Sequence, residues 1–361
     1  MAKKSKDIVL PADDSQDFAE LRPHYIPTGL YHLDHTVIKR GGIPTKRITE
    51  IWGDEATGKS LLLYKMIGKI QEQSDLPFLL VDTEFTFDPE WAASHGVNLK
   101  KLIVKQTNIA EEVFDDVIIP QLRKGGICGI AIDSLGMIDS HSNNQGKRYE
   151  IDKEGKVKSD SPGNFARMIG SYTKVIVGPI SRLDIPFLIV NQVREGIGMY
   201  TAPLSVPGGK VYKHGRTLSL QLKRISDIIV NNEVEGIIVR VVAGKSKIAA
   251  KASTTADTDL RIYFVNGDKK ERVFSVLAKA IDRGVIVKKA AWYKCDDLDK
   301  KWNGEAKILE SLLNDDDLVD AVEKLADAIE GDVNTLPDEL DDESTTIAGS
   351  DGLSGSEEDQ P

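Results

Sequence analysis

Eight consecutive residues, Gly53-Asp54-Glu55-Ala56-Thr57-Gly58-Lys59-Ser60, follow the spacing G-x-x-x-x-G-K-[ST], which builds a cradle for a nucleotide triphosphate. Gly53 and Gly58 let the backbone wrap until its amides face phosphate oxygens. Lys59 brings a cation to the β and γ phosphates, and the Ser60 hydroxyl is a ligand for Mg²⁺. The remaining loop residues, Asp54, Glu55, Ala56 and Thr57, supply backbone to the same cradle. Such a loop needs a carboxylate on a neighbouring strand to hold Mg²⁺. Asp133, ending the apolar run Ile130-Ala131-Ile132, is the candidate, with a helix cap or turn role as its alternative.

The run PFLLVDTE ends in Asp82 and Glu84, and a carboxylate just beyond a strand end can orient an attacking water. By itself a Glu there reads more readily as a surface residue. Gln192 closes IPFLIVNQ, where a neutral amide can sense a γ-phosphate and pass its presence to the next loop. That loop, 193–210, is long and Gly-rich and carries Arg194 and Lys210, with Lys213 just beyond. Long loops in compact domains are usually functional, though a plain surface excursion remains open. A second polar segment, 139–163, is another candidate loop.

Positioning these residues requires an alternation of strands and helices, and the chain supplies it. RITEIWG, PFLLVDTE, ICGIAIDS and IPFLIVNQV are continuous apolar runs separated by the helical patterns SLLLYKMIGKIQEQ, AEEVFDDVIIPQLRKGG and FARMIGSYTKVIVGPISRL. That is the signature of a mostly parallel sheet covered on both faces. SLQLKRISDIIVNN, GIIVRVVAG and LRIYFVNGD extend it as further strands, giving an α/β P-loop NTPase core over 27–268. Residues 1–26 read as a short N-terminal arm, 269–331 as a small α-rich C-terminal domain, and 332–361 as a disordered acidic tail.

The formal net charge of −10 over 361 residues is set by that tail. It holds ten acidic residues and no Lys or Arg, leaving 47 acidic against 47 basic side chains in residues 1–331. The global charge therefore does not exclude a nucleic-acid partner. Two cysteines, Cys128 and Cys295, give no disulfide framework, and the first residues carry no secretory apolar core. The expected setting is a reducing cytoplasm with no membrane partner.

The colinear series GGIPTKRITEIWGDEATGKS, VDTEFTFDPEWAASHGVNLKKL, IAIDSLG, SPGNFARM, IVNQVREGIG, VPGGKVYKHG and VVAGKSKIAA resembles the RecA family of homologous-recombination proteins, in its bacterial or bacteriophage branch. The likeness runs from about Tyr25 to about Gly304 and includes the segment AWY at 291–293. The resemblance implies a RecA-like core using ATP and Mg²⁺, with Glu84 activating water, Asp133 as the Walker B aspartate, and Asp88 and Trp91 against the adenine. Gln192 would couple ATP to the second DNA loop. Lys245 and Lys247 would reach the ATP of the neighbouring subunit, although on residues alone they read as a solvated strand edge. Arg167, Lys174, Arg194, Ile197, Gly208, Gly209, Lys210 and Lys213 would contact DNA, cations and amides holding phosphates while Ile197 wedges between bases.

The implied activity is a DNA-dependent ATPase that assembles a helical filament on single-stranded DNA, pairs it with homologous double-stranded DNA and exchanges strands. Mediator and single-strand-binding proteins are implied partners, and the arm 1–26 is the implied polymerisation element. The chain departs from the family pattern at Glu195 and Gly196, at Pro203 and Pro207, and at His214. Alternatives are a RecA-fold hexameric helicase, a repair accessory ATPase, or a regulatory assembly protein that binds ATP without strand exchange.

Overall fold

A computed structural model of the chain describes residues 20–139, 164–193, 206–248, 257–264 and 267–329. Its centre is an eight-stranded sheet formed by β3 (Ile48–Gly53), β4 (Phe78–Asp82), β5 (Leu102–Gln106), β6 (Gly129–Asp133), β7 (Phe187–Gln192), β8 (Leu218–Val230), β9 (Glu233–Ser246) and β10 (Asp257–Tyr263). The spatial order is β10-β9-β8-β3-β7-β6-β4-β5. From β8 to β5 neighbouring strands are parallel, and β9 and β10 add an antiparallel edge. Preceding it, β1 (Tyr25–Ile26) and β2 (Ile43–Pro44) form a short antiparallel pair.

Alternation along each central strand feeds two apolar layers, which is why these strands read as unbroken apolar runs. On β4, Phe78 and Leu80 join a cluster with Leu62, Leu63, Met66 and Ile67 of α1 (Lys59–Glu72). Leu79 and Val81 join the opposite cluster. α2 (Pro89–Ser94) follows β4, and the first half of the helical stretch 112–124 runs on into α3 (Ile119–Lys124). α3 covers the second layer together with α4 (Asn164–Leu183) and α5 (Gly209–Gly215), through Leu122, Ile169, Ile176, Ile180 and Tyr212.

Beyond the sheet, α6 (Gly267–Asp282), α7 (Glu305–Asn314) and α8 (Asp316–Ala328) enclose an apolar cluster of their own. The expectation of helices here needs an addition. Three short strands, β11 (Val287–Lys289), β12 (Trp292–Cys295) and β13 (Lys300–Asn303), form an antiparallel meander. Tyr293, Cys295 and Trp302 point into the cluster, while Lys and Trp fill the alternate positions. With three or four residues per strand and lysines in the outward slots, the period-two signal is too short to stand out. Among the described residues no helix is long and apolar enough to cross a membrane, and Cys128 and Cys295 are both free and buried. The arm residues 1–19 and the tail 332–361 lie outside the described residues.

One buried acid gives the fold a pH signature. Asp34 accepts hydrogen bonds from the Thr28 amide at 2.9 Å and hydroxyl at 2.8 Å, yet burial dominates and pushes its carboxyl up to about 7. A raised acid favours folding below its ordinary value of 3.8, and that contribution is lost as pH rises through about 7. Urea unfolding is expected to show about 2–3 kcal/mol less stability at about pH 8 than at about pH 5 from this group. In Asp34→Asn that part of the slope disappears.

Candidate functional site

Parallel pairing brings the chemistry-bearing strand ends to one edge. Gly53 is in register with Gln192, and Asp82 with Asp133. This is the carboxyl edge of the parallel strands, where open α/β sheets bind ligands. The loop after β3 closes on itself, with the Thr57 hydroxyl at 2.9 Å and the Lys59 ammonium at 2.5 Å from the Asp54 carbonyl. Gly58 sits at φ +80°, which suits glycine, and offers no side-chain cap to α1. The first amides of α1 therefore have no intrahelical acceptor, and phosphate oxygens are their natural partners.

An open cleft of about 440 Å³ lies over this loop, lined among others by Lys59, Ser60, Glu84, Trp91, Asp133 and Gln192. The Ser60 hydroxyl donates to Asp133 Oδ2 at 2.7 Å. Glu84 Oε1 accepts from the Ser134 hydroxyl at 2.5 Å and from the Gln192 amide at 2.8 Å. Glu84 is thus half-buried and held, not a free surface residue. Burial pushes Asp133 up to about 6 against the Ser60 hydrogen bond, with Glu84 and Asp82 adding to the rise. Burial also lowers Lys59, while Asp133 and Glu84 oppose that. Carboxylates beside a hydroxyl form a hard-oxygen donor set, which fits Mg²⁺ held by few protein ligands plus phosphates. Among the described residues no group of three or more His, Cys, Asp or Glu side chains is placed to hold a metal ion.

Asp82 departs from the water-orienting expectation. It is buried and accepts from the amides of Glu84 and Phe87 and from Gln106 Nε2, so it shapes the turn that presents Glu84. Asp88 is exposed and caps α2, accepting from the Trp91 amide at 2.9 Å; it is not among the cleft-lining residues. Trp91 packs its ring on His95 at 4.6 Å and lies 6.2 Å from Phe264, making an aromatic wall at the cleft. Sequence reasoning missed Phe264 and Arg224. Arg224 reaches in from β8, donating to the Ala56 carbonyl at 3.0 Å and to Asp227 at 2.5 Å. Neither residue sits in a motif, and only the strand pairing brings them to the loop.

The remaining expected residues gather elsewhere. Arg167 and Lys174 are both exposed on α4, and Lys210 and Lys213 are on α5, which packs against α4. The approach is close: a Cβ on Gly209 would stand 2.7 Å from Ala166 Cβ. Gly208 caps the start of α5. Lys245 and Lys247 do not line the cleft of their own chain. The Lys247 ammonium donates to the His214 carbonyl at 2.6 Å, and Lys245 donates to the Lys213 carbonyl. Both therefore engage the last turn of α5. Arg194 and Ile197, with Glu195, Gly196 and Pro203, lie outside the described residues, as do residues 140–163.

Comparison with known proteins places the chain among relatives of one kind. The RecA N-terminal domain family matches residues 7–268. Protein RecA of Caldanaerobacter subterraneus subsp. tengcongensis is 29% identical over 309 residues, covering 85% of each chain. Protein RecA of Heliobacterium modesticaldum is 28% identical over 308 residues, 85% of this chain and 84% of its own. Protein RecA of Thermus aquaticus is 30% identical over 279 residues, 77% of each.

Proposed function

This chain belongs to the RecA family, and we propose that within it the protein is an ATP-dependent recombinase that polymerises on single-stranded DNA and exchanges strands with homologous duplex. The observation that carries this reading is the hydrogen bond from Gln192 to Glu84. It ties Glu84, to which we assign water activation, to the strand that leads toward Gly208, Gly209, Lys210 and Lys213.

In this reading Trp91 stacks on the adenine, with Asp88 beside it. The loop 53–60 holds the phosphates, and Ser60 and Asp133 hold Mg²⁺. A Mg²⁺ held by these two residues would supply positive charge against the triphosphate. Glu84 accepts the proton of a water whose oxygen attacks the γ-phosphorus as the bond to the β-phosphate oxygen breaks. Lys59 stabilises the charge that builds on the leaving side. Lys245 and Lys247 leave the α5 carbonyls for the triphosphate of a neighbouring subunit, so the catalytic site is completed across a head-to-tail interface. Arg167, Lys174, Arg194, Ile197, Lys210 and Lys213 face the DNA. The implied setting is cytoplasmic, with mediator and single-strand-binding proteins as partners in assembly.

The test is ATP hydrolysis with and without single-stranded DNA, with Lys59→Ala as the blank. Strong stimulation, absent from the blank, is the expected result. Measurable hydrolysis that DNA leaves unchanged would overturn the reading in favour of an accessory or regulatory ATPase.

Duplex DNA has its own surface in this proposal. Register puts Lys289, Trp292, Lys294 and Lys301 on the outward face of the three-stranded meander, with Lys301 4.2 Å over the exposed Trp292 ring. Replacing Lys289, Lys294 and Lys301 by alanine together is expected to lower the salt slope of duplex binding by roughly 3. An unchanged slope in a fluorescence-anisotropy titration would remove this face from the proposal.

A further inference from the structure

Glu50 is the least expected charge in the sheet. It lies in β3, three residues before Gly53, and is 0% exposed between Thr49 and Ile51, which are also fully buried. Its carboxylate is nonetheless fully engaged. Oε1 accepts from the Tyr212 hydroxyl at 2.9 Å and from Asn191 Nδ2 at 3.1 Å. Oε2 accepts from the Ser219 hydroxyl at 3.0 Å and is ion-paired with the Arg216 guanidinium. These partners come from β7, from α5 and the residue that follows it, and from β8.

A buried ion pair is a poor way to gain stability, because apolar residues of the same volume do as well or better. What a satisfied polar network adds is a single geometry, since each hydrogen bond has a direction that apolar packing lacks. Here the geometry joins two places that the proposed function must connect. Asn191 precedes Gln192, its Oδ1 accepts from the Gln192 backbone N–H at 3.1 Å and its Nδ2 donates to the Pro207 carbonyl at 3.2 Å. Tyr212 and Arg216 join the helix that bears Lys210 and Lys213 to Glu50, and Lys245 and Lys247 donate to that helix's last carbonyls.

We infer that Glu50, with Tyr212, Arg216 and Asn191, is a positioning unit that locks α5 to the Gln192 end of β7, so that nucleotide in the cleft sets the affinity of the chain for single-stranded DNA. The inference rests on the recombinase reading above. When the Gln192 side chain leaves Glu84 for a γ-phosphate and draws the end of β7 with it, the Gln192 backbone N–H carries the Asn191 side chain along, and the shared Glu50 carboxylate passes the displacement to Tyr212. An apolar contact would let α5 stay behind.

Two variants of the full chain test this. Tyr212→Phe removes one hydroxyl and keeps the ring. Glu50→Gln combined with Arg216→Met dissolves the ion pair without leaving a lone buried charge. For each, affinity for a fluorescent oligodeoxythymidylate is measured with Mg²⁺ and either a slowly hydrolysed ATP analogue or ADP, and affinity for a fluorescent ATP analogue is measured without DNA. The expected result is that the ATP-over-ADP ratio of DNA affinities falls about tenfold, as loss of one directional hydrogen bond allows, while nucleotide affinity without DNA is unchanged. A retained ratio in both variants overturns the inference. So does a parallel loss of nucleotide affinity, which marks a merely structural role. A wild-type chain whose DNA affinity ignores the nucleotide would instead overturn the functional reading itself, before any variant is compared.

Discussion

Glu84→Gln is expected to lower DNA-stimulated ATP hydrolysis by about 10³ while leaving ATP affinity intact. The contacts around the residue make this a clean substitution. Ser134 and Gln192 both donate to Oε1, and a glutamine carbonyl can accept both in the same place. What changes is the second terminal atom, which becomes a donor and cannot take a proton from water. The carboxylate is thus lost as a base but kept as an acceptor. Lys59, Ser60 and Asp133 are untouched, so nucleotide and Mg²⁺ still bind. If hydrolysis triggers release of DNA, the variant should also stay on single-stranded DNA far longer after dilution into competitor. Single-turnover hydrolysis and DNA dissociation measured together check both parts. Hydrolysis within about threefold of wild type would show that water is activated by another group.

The cleft was readable because its parts sit at the ends of long, strongly patterned elements. A β-rich apolar run followed by Gly53-x-x-x-x-Gly58-Lys59-Ser60 and an amphipathic helix leaves little freedom in where the loop can be. Parallel pairing then forces Asp133 and Gln192 to the same edge. Residues whose role depends on pairing across long sequence separations were not readable. Phe264 joins Trp91 across 173 positions, and Arg224 meets Ala56 across 168. Glu50 looks like one polar residue in an apolar strand until Tyr212, Arg216 and Ser219 are seen around it. Asp82 illustrates the converse. Its position beside Glu84 suggests chemistry, but a carboxylate at a strand end equally serves to gather the amides of the following turn, and the amides of Glu84 and Phe87 take it.

Lys245 and Lys247 rest their ammonium groups on the carbonyls of α5 and not in the cleft of their own subunit, which leaves them available to a neighbour's site. If they complete a neighbour's site, the chain Lys245→Ala/Lys247→Ala should hydrolyse ATP about 10²–10³ more slowly than wild type, the loss expected on removing cations aimed at transition-state charge. Its affinity for ATP in the absence of DNA should be unaltered, since Lys59 and the loop 53–60 remain. Mixing decides between this and a local effect on α5. Lys59→Ala retains both interface lysines but has a dead loop, while the double variant has an intact loop but lacks them. Each alone is expected to hydrolyse ATP far more slowly than wild type. In an equimolar mixture with random order along a head-to-tail assembly, about one interface in four pairs an intact loop with intact lysines, and hydrolysis should recover to about that fraction of wild type. Activity that stays at the level of the separate variants would mean that the lysines act within their own subunit, through the last turn of α5, and that the site is complete in one chain.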